Sequence, residues 1–239
     1  MAEQDLERQR SSFGVVARPS DGALHGAEPG TLSSLVDRYP VLEAVRPAVR
    51  EAFELLASAF RTGRKVLVCG NGGSAADAEH IAGELMKGIS RRRRLPEETA
   101  RRLEASLPAE LAAYLSEHLE PALPTISLVG GTSLPSAVAN DTAPDMVFAQ
   151  QVHGYGHPGD VLWALSTSGR SRNVVLAAAT ARAAGLRVLA MTGRSASMLG
   201  DLADVCIAVP ADATTEAQEL HLPVYHALCQ ALEQELTHG

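Results

Sequence analysis

Five short apolar runs divide the chain from residue 65 onwards, and each is bounded by Gly, Pro, Ser or Asp. They span residues 65–69, 125–129, 160–165, 187–191 and 205–209. The runs are apolar throughout rather than alternating, which is typical of strands covered on both faces of a parallel sheet. Helical periodicity fills most of the segments between them, as at 173–184, which ends at Gly185 as a helix C-cap does. The pattern predicts a three-layer α/β fold with a doubly wound, five-stranded parallel sheet of the flavodoxin-like type.

Upstream of these runs the pattern changes at residue 31. Residues 1–30 carry Ser, Gly, Pro and mixed charge without apolar periodicity, which predicts a flexible N-terminal arm. From Thr31 apolar residues return at helical spacing, and Tyr39-Pro40 interrupts them. We therefore expect two N-terminal helices, the second ending at Gly63.

Residues 88–124 depart from the alternation of strands and helices. They begin with an arginine run at 91–94 and continue with leucines four residues apart, which predicts a helical insert bent at Pro108. The arginine run is either an anion-binding or targeting patch or, as is more common, a solvated loop.

Composition and charge exclude several classes of protein. The formal net charge of −7 argues against a nucleic-acid partner. No apolar run approaches the ~20 residues that a membrane span needs, which predicts no membrane association. Residues 1–9 lack the apolar stretch of a signal peptide. The three cysteines are widely spaced, which favours buried free thiols in a reducing cytoplasm over disulfides.

Two turns rich in small residues follow the first and third apolar runs, at 70–74 (GNGGS) and 166–171 (STSGRS). Each opens a helical pattern, so each places unpaired backbone N–H groups at a helix N-terminus, where a phosphate is readily held. Ligands of doubly wound sheets bind beyond the carboxyl ends of the strands, where both turns fall. The turns therefore predict a phosphorylated substrate.

Two groups of ionisable residues accompany these turns. His80 and Glu84 are spaced i, i+4 on the helix that the first turn opens, so they project from one face. Such a pair can bind a metal, act as a base with its orienting partner, or be a surface pair. The second group, on the C-terminal helix, contains Gln218, Glu219, His221 and His226. His226 lies among packed apolar residues, so a buried His226 requires a polar partner.

Taken together, these motifs resemble the SIS (sugar isomerase) domain family, and most closely the phosphoheptose isomerases. The segment 69–74, with 77–80 and Glu84, is similar to the family's first loop and helix. Asn140-Asp141 is similar to its middle motif, 166–173 to its phosphate loop, and 218–226 to its C-terminal helix. The resemblance covers the chain from about Leu32 to Leu236, so we expect a SIS domain over 31–239, with the helical insert at 88–124 within it.

The resemblance implies isomerisation of sedoheptulose 7-phosphate to D-glycero-D-manno-heptose 7-phosphate, or an epimer, through a cis-enediol. Glu84 would be the base and His226 the acid. The positions implied to bind substrate are Asn71, Gly72, Ser74, Asn140, Asp141, Ser166, Thr167, Ser168, Ser171 and Gln218.

The resemblance also implies one zinc ion per site, held by His80, Glu84, Gln218 and His226. Gln218 and His226 are eight residues apart, which is ~12 Å along a straight helix. Either Pro223 breaks that helix, or the two side chains come from different subunits. We favour the second interpretation, because the family resemblance implies a homotetramer with sites at subunit contacts.

Two departures from the family pattern bear on the identity of the sugar. Thr215 stands where an acidic residue is common, and the insert begins four residues after Glu84, where it can cap the site or reshape a subunit contact. Two other functions stay open: a non-catalytic SIS tetramer that binds a replication-initiator protein, and a sugar-phosphate sensor. The presence of both Glu84 and His226 favours a cytoplasmic enzyme.

Overall fold

A computed structural model describes residues 29–89 and 92–237 of the chain. Its five strands form one parallel sheet in the order β2-β1-β3-β4-β5. The strands are β1 Val66–Cys69, β2 Thr125–Ser127, β3 Val161–Leu165, β4 Arg187–Thr192 and β5 Val205–Ala208. This is the predicted flavodoxin-like order, and it reverses between β1 and β3, where ligands of such sheets bind. The predicted N-terminal arm lies outside the described residues except for Pro29 and Gly30.

Ten α-helices lie in the described ranges. Before the insert they are α1 Gly30–Arg38, α2 Arg46–Arg61 and α3 Gly73–Met86; the insert contains α4 Glu97–Ser106 and α5 Ala109–His118. The others are α6 Ser133–Asp141, α7 Val147–Tyr155, α8 Arg172–Ala183, α9 Met198–Leu202 and α10 Thr214–Thr237. A 3₁₀ helix at Pro40–Val45 separates α1 from α2, as the Tyr39-Pro40 dipeptide predicts.

The sheet has a hydrophobic core on each face. On one face α1, α2, α3 and α10 pack over alternate strand residues such as Val68 and Trp163. On the other face α7, α8 and α9 pack over the intervening residues such as Leu67 and Leu162. The expected double coverage is confirmed for β1 and β3 and is wrong for β2, an edge strand whose Ile126 is 37% exposed.

The C-terminal helix α10 continues through Pro223, so the break considered at this proline is absent. Its buried residues include His221, Tyr225 and Glu233. The polar groups of these side chains need hydrogen-bond partners inside the protein.

The insert is a pair of helices with Pro108 at the start of α5, as predicted. Its arginine run does not behave as one surface feature, because Arg93 is 6% exposed. The Arg93 Nε donates to Glu233 Oε1 at 2.9 Å, and its Nη1 donates to the Pro121 carbonyl at 3.1 Å. For Arg93 both surface interpretations are therefore wrong: it forms a buried ion pair that attaches the insert to α10.

Both ends of the insert also meet at Glu120. Its Oε2 accepts hydrogen bonds from the backbone N–H groups of Gly88 at 2.9 Å and Arg93 at 3.4 Å. The segment between Arg93 and Glu120 is thus closed at its base. Its two helices bury little of themselves, since Ala112 is the one buried residue that they contain.

The cysteines are free, and Cys69 and Cys229 are buried, as predicted. Burial raises the pKa of the Cys69 thiol to about 12. Within the described ranges, no helix combines the length and the apolar character that crossing a membrane requires.

Candidate active site

The two predicted turns lie side by side at the carboxyl ends of the adjacent strands β1 and β3. They are joined through Asn71 of the first turn and Asn173 in the first turn of α8. These two side chains exchange two hydrogen bonds, Asn71 Nδ2 to Asn173 Oδ1 at 2.8 Å and Asn173 Nδ2 to Asn71 Oδ1 at 2.9 Å. The first turn contains Gly72 with φ of +56°, a backbone conformation that favours glycine. The edge of the sheet thus carries one continuous surface made of both turns.

The second turn presents hydroxyl and amide groups ahead of α8. The buried Ser166 donates through Oγ to Ser171 Oγ at 3.1 Å, and Ser168 Oγ accepts from the Arg170 N–H at 3.2 Å. The carbonyl of Thr167 accepts from the Gly193 N–H at 2.8 Å, which fixes the turn to the end of β4. Hydroxyls next to a helix N-terminus make this turn suited to a phosphate group.

A cluster of three candidate metal ligands forms where α3 meets α10. His80 and Glu84 lie one turn apart on α3, His226 comes from α10, and one ligand atom from each lies within 4.8 Å of the others. His80 Nε2 is 3.2 Å from Glu84 Oε1, and the His80 and His226 rings meet edge to face at 5.0 Å. We call His80, Glu84 and His226 the triad.

Two further residues extend the triad into the protein. The hydroxyl of Tyr225 lies 3.0 Å from His80 Nδ1 and donates to Asp77 Oδ1 over 3.3 Å. Sequence reasoning missed Tyr225, and its one signal was its place directly before His226. Burial raises the pKa of the Asp77 carboxyl, whereas burial and the neighbouring His80 lower the pKa of His226.

The triad suits a divalent cation. Two imidazoles and one carboxylate are a donor set that zinc binds in proteins. The Glu84 Oε2 atom is buried without a hydrogen-bond partner in the structure, a condition that a bound cation relieves. The residues present therefore fit zinc.

Gln218 lies against the first turn of α3. A Cβ built on Gly73 would approach Gln218 Nε2 to 2.5 Å, so the glycine allows the amide to pack there. His226 reaches His80 and Glu84 within a single chain. The triad therefore needs no second subunit to supply His226. The favoured interpretation, in which Gln218 and His226 of one site come from different subunits, stays a prediction. Gln218 as a zinc ligand stays a prediction.

Three other residues predicted to bind substrate, Ser74, Asn140 and Asp141, differ in their exposure to solvent. Ser74 is buried and packs against Gly70. A Cβ added at Gly70 would lie 2.5 Å from the Ser74 carbonyl oxygen. Asn140 and Asp141 end α6 exposed, and Asn140 Nδ2 donates to Asp141 Oδ1 at 2.7 Å. The structure does not link this pair to either turn by a hydrogen bond, so its role stays a prediction.

Comparison with known proteins identifies the family. Residues 38–120 and 115–193 match the model of the SIS domain. A phosphoheptose isomerase of Akkermansia muciniphila is 36% identical over 205 residues, 86% of this chain and 94% of the relative. One of Thiobacillus denitrificans is 39% identical over 207 residues, 85% of this chain and 91% of the relative.

Solved structures give the same result. The phosphoheptose isomerase of Francisella tularensis superposes with a TM-score of 0.67 at 30% identity, covering 84% of this chain and 93% of that one. That of Neisseria gonorrhoeae gives 0.66 at 29% identity, covering 84% and 94%. The chain therefore belongs to the SIS domain family and, within it, to the phosphoheptose isomerases.

Proposed function

We propose that this protein is an aldose–ketose isomerase that converts sedoheptulose 7-phosphate to D-glycero-D-manno-heptose 7-phosphate or an epimer of it. The relatives named phosphoheptose isomerase support the reaction and the substrate class. The observation that carries the proposal within the molecule is the meeting of Glu84 and His226 where α10 packs on α3, the helix that the glycine turn opens.

The substrate's phosphate is assigned to the serine turn. The hydroxyls of Ser166, Thr167, Ser168 and Ser171, with the N–H groups that lead into α8, offer several donors to a phosphate. The glycine turn and its neighbours are assigned to the sugar hydroxyls, through Asn71, Gly72, Ser74, Asn140, Asp141 and Gln218.

The reaction is a transfer of protons between two adjacent carbons. Glu84 removes the proton from the carbon next to the carbonyl, and His226 donates a proton to the carbonyl oxygen, which gives a cis-enediol. Returning a proton to the other carbon and releasing one from the other oxygen completes the isomerisation without any net redox change. A positioned acid–base pair contributes roughly 10²–10⁴ in rate.

Zinc, held by His80, Glu84 and His226 with Gln218 as a candidate fourth ligand, would polarise the carbonyl and stabilise negative charge on oxygen. Glu84 has two carboxylate oxygens and His226 has two ring nitrogens, so in each residue one atom can face a cation while the other exchanges a proton. The partnerless Oε2 of Glu84 is the candidate for one of these tasks.

We further propose a homotetramer in the cytoplasm, with sites near subunit contacts. Free cysteines support a reducing compartment. Exposed apolar side chains such as Tyr114 and Met198 support contacts between chains. Light scattering on the purified protein measures the assembly: a mass of four chains supports it, and a monomer contradicts it.

The test of the reaction is a coupled assay of sedoheptulose 7-phosphate turnover, with wild type beside Glu84→Gln, each with and without a chelator. We expect turnover that the substitution abolishes. Glu51→Gln, an exposed change on α2, is the matched control and keeps wild-type activity. Absence of turnover by metal-loaded wild type contradicts the proposed substrate, and an active Glu84→Gln variant contradicts the assigned base.

A further inference from the structure

The neighbours of His80 determine which of its ring nitrogens carries a proton. Tyr225 has a single hydroxyl proton, and because the Asp77 carboxylate can only accept, the 3.3 Å contact between Tyr225 and Asp77 Oδ1 takes that proton. The same hydroxyl oxygen lies 3.0 Å from His80 Nδ1. Because the tyrosine proton is already donated, the contact is a hydrogen bond only when Nδ1 carries the hydrogen. The order of donors is thus His80 Nδ1–H to Tyr225, and Tyr225 O–H to Asp77.

The other ring nitrogen then faces an acceptor. Nε2 of the neutral ring has a lone pair, and it lies 3.2 Å from Glu84 Oε1. Two acceptors at this distance repel each other unless a proton or a metal cation interacts with both. His226 closes the same space from α10, with its ring 5.0 Å from that of His80. The unprotonated Nε2, Glu84 and His226 therefore all direct electron pairs into one small volume.

We propose that Tyr225 and Asp77 are positioning residues for metal binding: they keep the His80 proton on Nδ1 and so leave Nε2 to bind a divalent cation such as zinc. This inference rests on the metal site of the proposed function and adds to it the residues that orient the ligand. An outer partner of this kind fixes both the tautomer and the direction of the ring. Here the partner is a tyrosine between the histidine and the carboxylate.

A nearby metal cation would also stabilise the charge of Asp77, which is only partly exposed to water. Asp77 precedes His80 by three residues on α3, so both side chains lie on the face that meets α10. The aspartate accepts from Tyr225 through Oδ1 alone, since Oδ2 is buried without a hydrogen-bond partner in the structure. A half-buried carboxylate whose second oxygen has no partner is costly, and a cation held nearby by His80 offsets that cost.

The test measures zinc affinity by competition with a chelator, in metal-free protein reloaded with zinc. We expect Tyr225→Phe to bind zinc roughly 10–100-fold more weakly than wild type. Asp77→Asn is expected to weaken binding less, because an amide oxygen still accepts from Tyr225. Tyr155→Phe, an exposed tyrosine on α7, is the matched control and keeps wild-type affinity.

The tautomer is measured separately by ¹H–¹⁵N correlation of the histidine rings in zinc-loaded wild type, with His80 assigned from a His80→Asn variant. A proton on Nδ1 supports the inference, and one on Nε2 overturns it without any variant. Wild-type affinity in Tyr225→Phe overturns it as well. If wild type itself binds no zinc, the metal site of the proposed function fails and this inference fails with it. If wild type binds zinc and Tyr225→Phe binds it with the same affinity, this inference is wrong while the proposed metal site stands.

Discussion

The turn after β1 and the turn after β3 both contain a glycine with positive φ shortly before a helix, Gly72 at +56° and Gly169 at +61°. They differ in what surrounds that backbone. The glycine turn is open, and the candidate proton-transfer residues lie about two and three helical turns further along α3, at His80 and Glu84. The serine turn carries its polar groups on the turn itself. Two glycine-containing turns at the same sheet edge are thus proposed to serve different tasks, one leading into the proton-transfer residues and the other binding the phosphate.

The largest expected effect is on kcat, and it comes from the residues along α3 and α10 rather than from the serine turn. Replacing His226 by Ala removes the proposed acid, which faces His80 and Glu84 on α3, and we expect kcat to fall by roughly 10²–10⁴ while KM for the sugar phosphate changes little. Steady-state kinetics with sedoheptulose 7-phosphate measure both values. A variant whose KM rises with kcat unchanged would assign His226 to binding instead.

The serine turn is expected to show the opposite behaviour. Hydrogen bonds to a charged group contribute about 1.5–3 kcal/mol, so Ser166→Ala together with Ser171→Ala should raise KM by roughly tenfold or more. The control is the substrate: with unphosphorylated sedoheptulose, the variant and wild type should behave alike. Equal losses with both sugars would show that the serines do not bind the phosphate.

A smaller effect, on stability, distinguishes the two glycines. Gly72→Ala places a side chain at φ +56° and ψ −120°, a strain of about 1–3 kcal/mol, but the added Cβ enters open space, because no atom lies within 4 Å of it. Gly169→Ala is strained by its φ of +61° and also places its Cβ 2.1 Å from Ser197 Oγ, so we expect the lower Tm of the two. At about 2–4 °C per kcal/mol, Gly72→Ala should lower Tm by roughly 2–12 °C. Differential scanning calorimetry of both variants measures the difference, and equal shifts would mean that Ser197 moves away freely.

The smallest expected effect concerns the coupling between the regions. Asn71 and Asn173 exchange two amide hydrogen bonds across the gap between the turns. A double-mutant cycle of Asn71→Ala and Asn173→Ala should give a coupling energy of about 0.5–1.5 kcal/mol in urea unfolding. Additive effects of the two substitutions would mean that the turns are held independently.

The sheet was predictable because its strands are short apolar runs whose ends are marked by turn residues. The β2 edge was not, since an apolar run gives no information about whether a neighbouring element covers it. The triad's residue types followed from the i, i+4 spacing of His80 and Glu84 and from the resemblance of the motifs. That His226 joins them within one chain depends on how α10 packs on α3, which spacing along α10 alone does not reveal.

The polar contacts that sequence reasoning missed share one physical origin. Arg93 was one arginine among four, and Glu233 one acidic residue on a long helix. Their pairing depends on a contact between segments 140 residues apart. Tyr225 likewise has a meaning only beside Asp77 and His80. Long-range pairs of this kind leave no local pattern, whereas turns and periodic faces do.

The closed base of the insert has an evolutionary consequence. Gly88, Arg93 and Glu120 hold the two ends of the segment together, so the length of chain between them is free to change. Each doubling of such a loop costs only about 0.6 kcal/mol in chain entropy. Lineages can therefore lengthen, shorten or exchange this segment, and engineers can graft a foreign domain into it, while the contacts at its base stay unaltered.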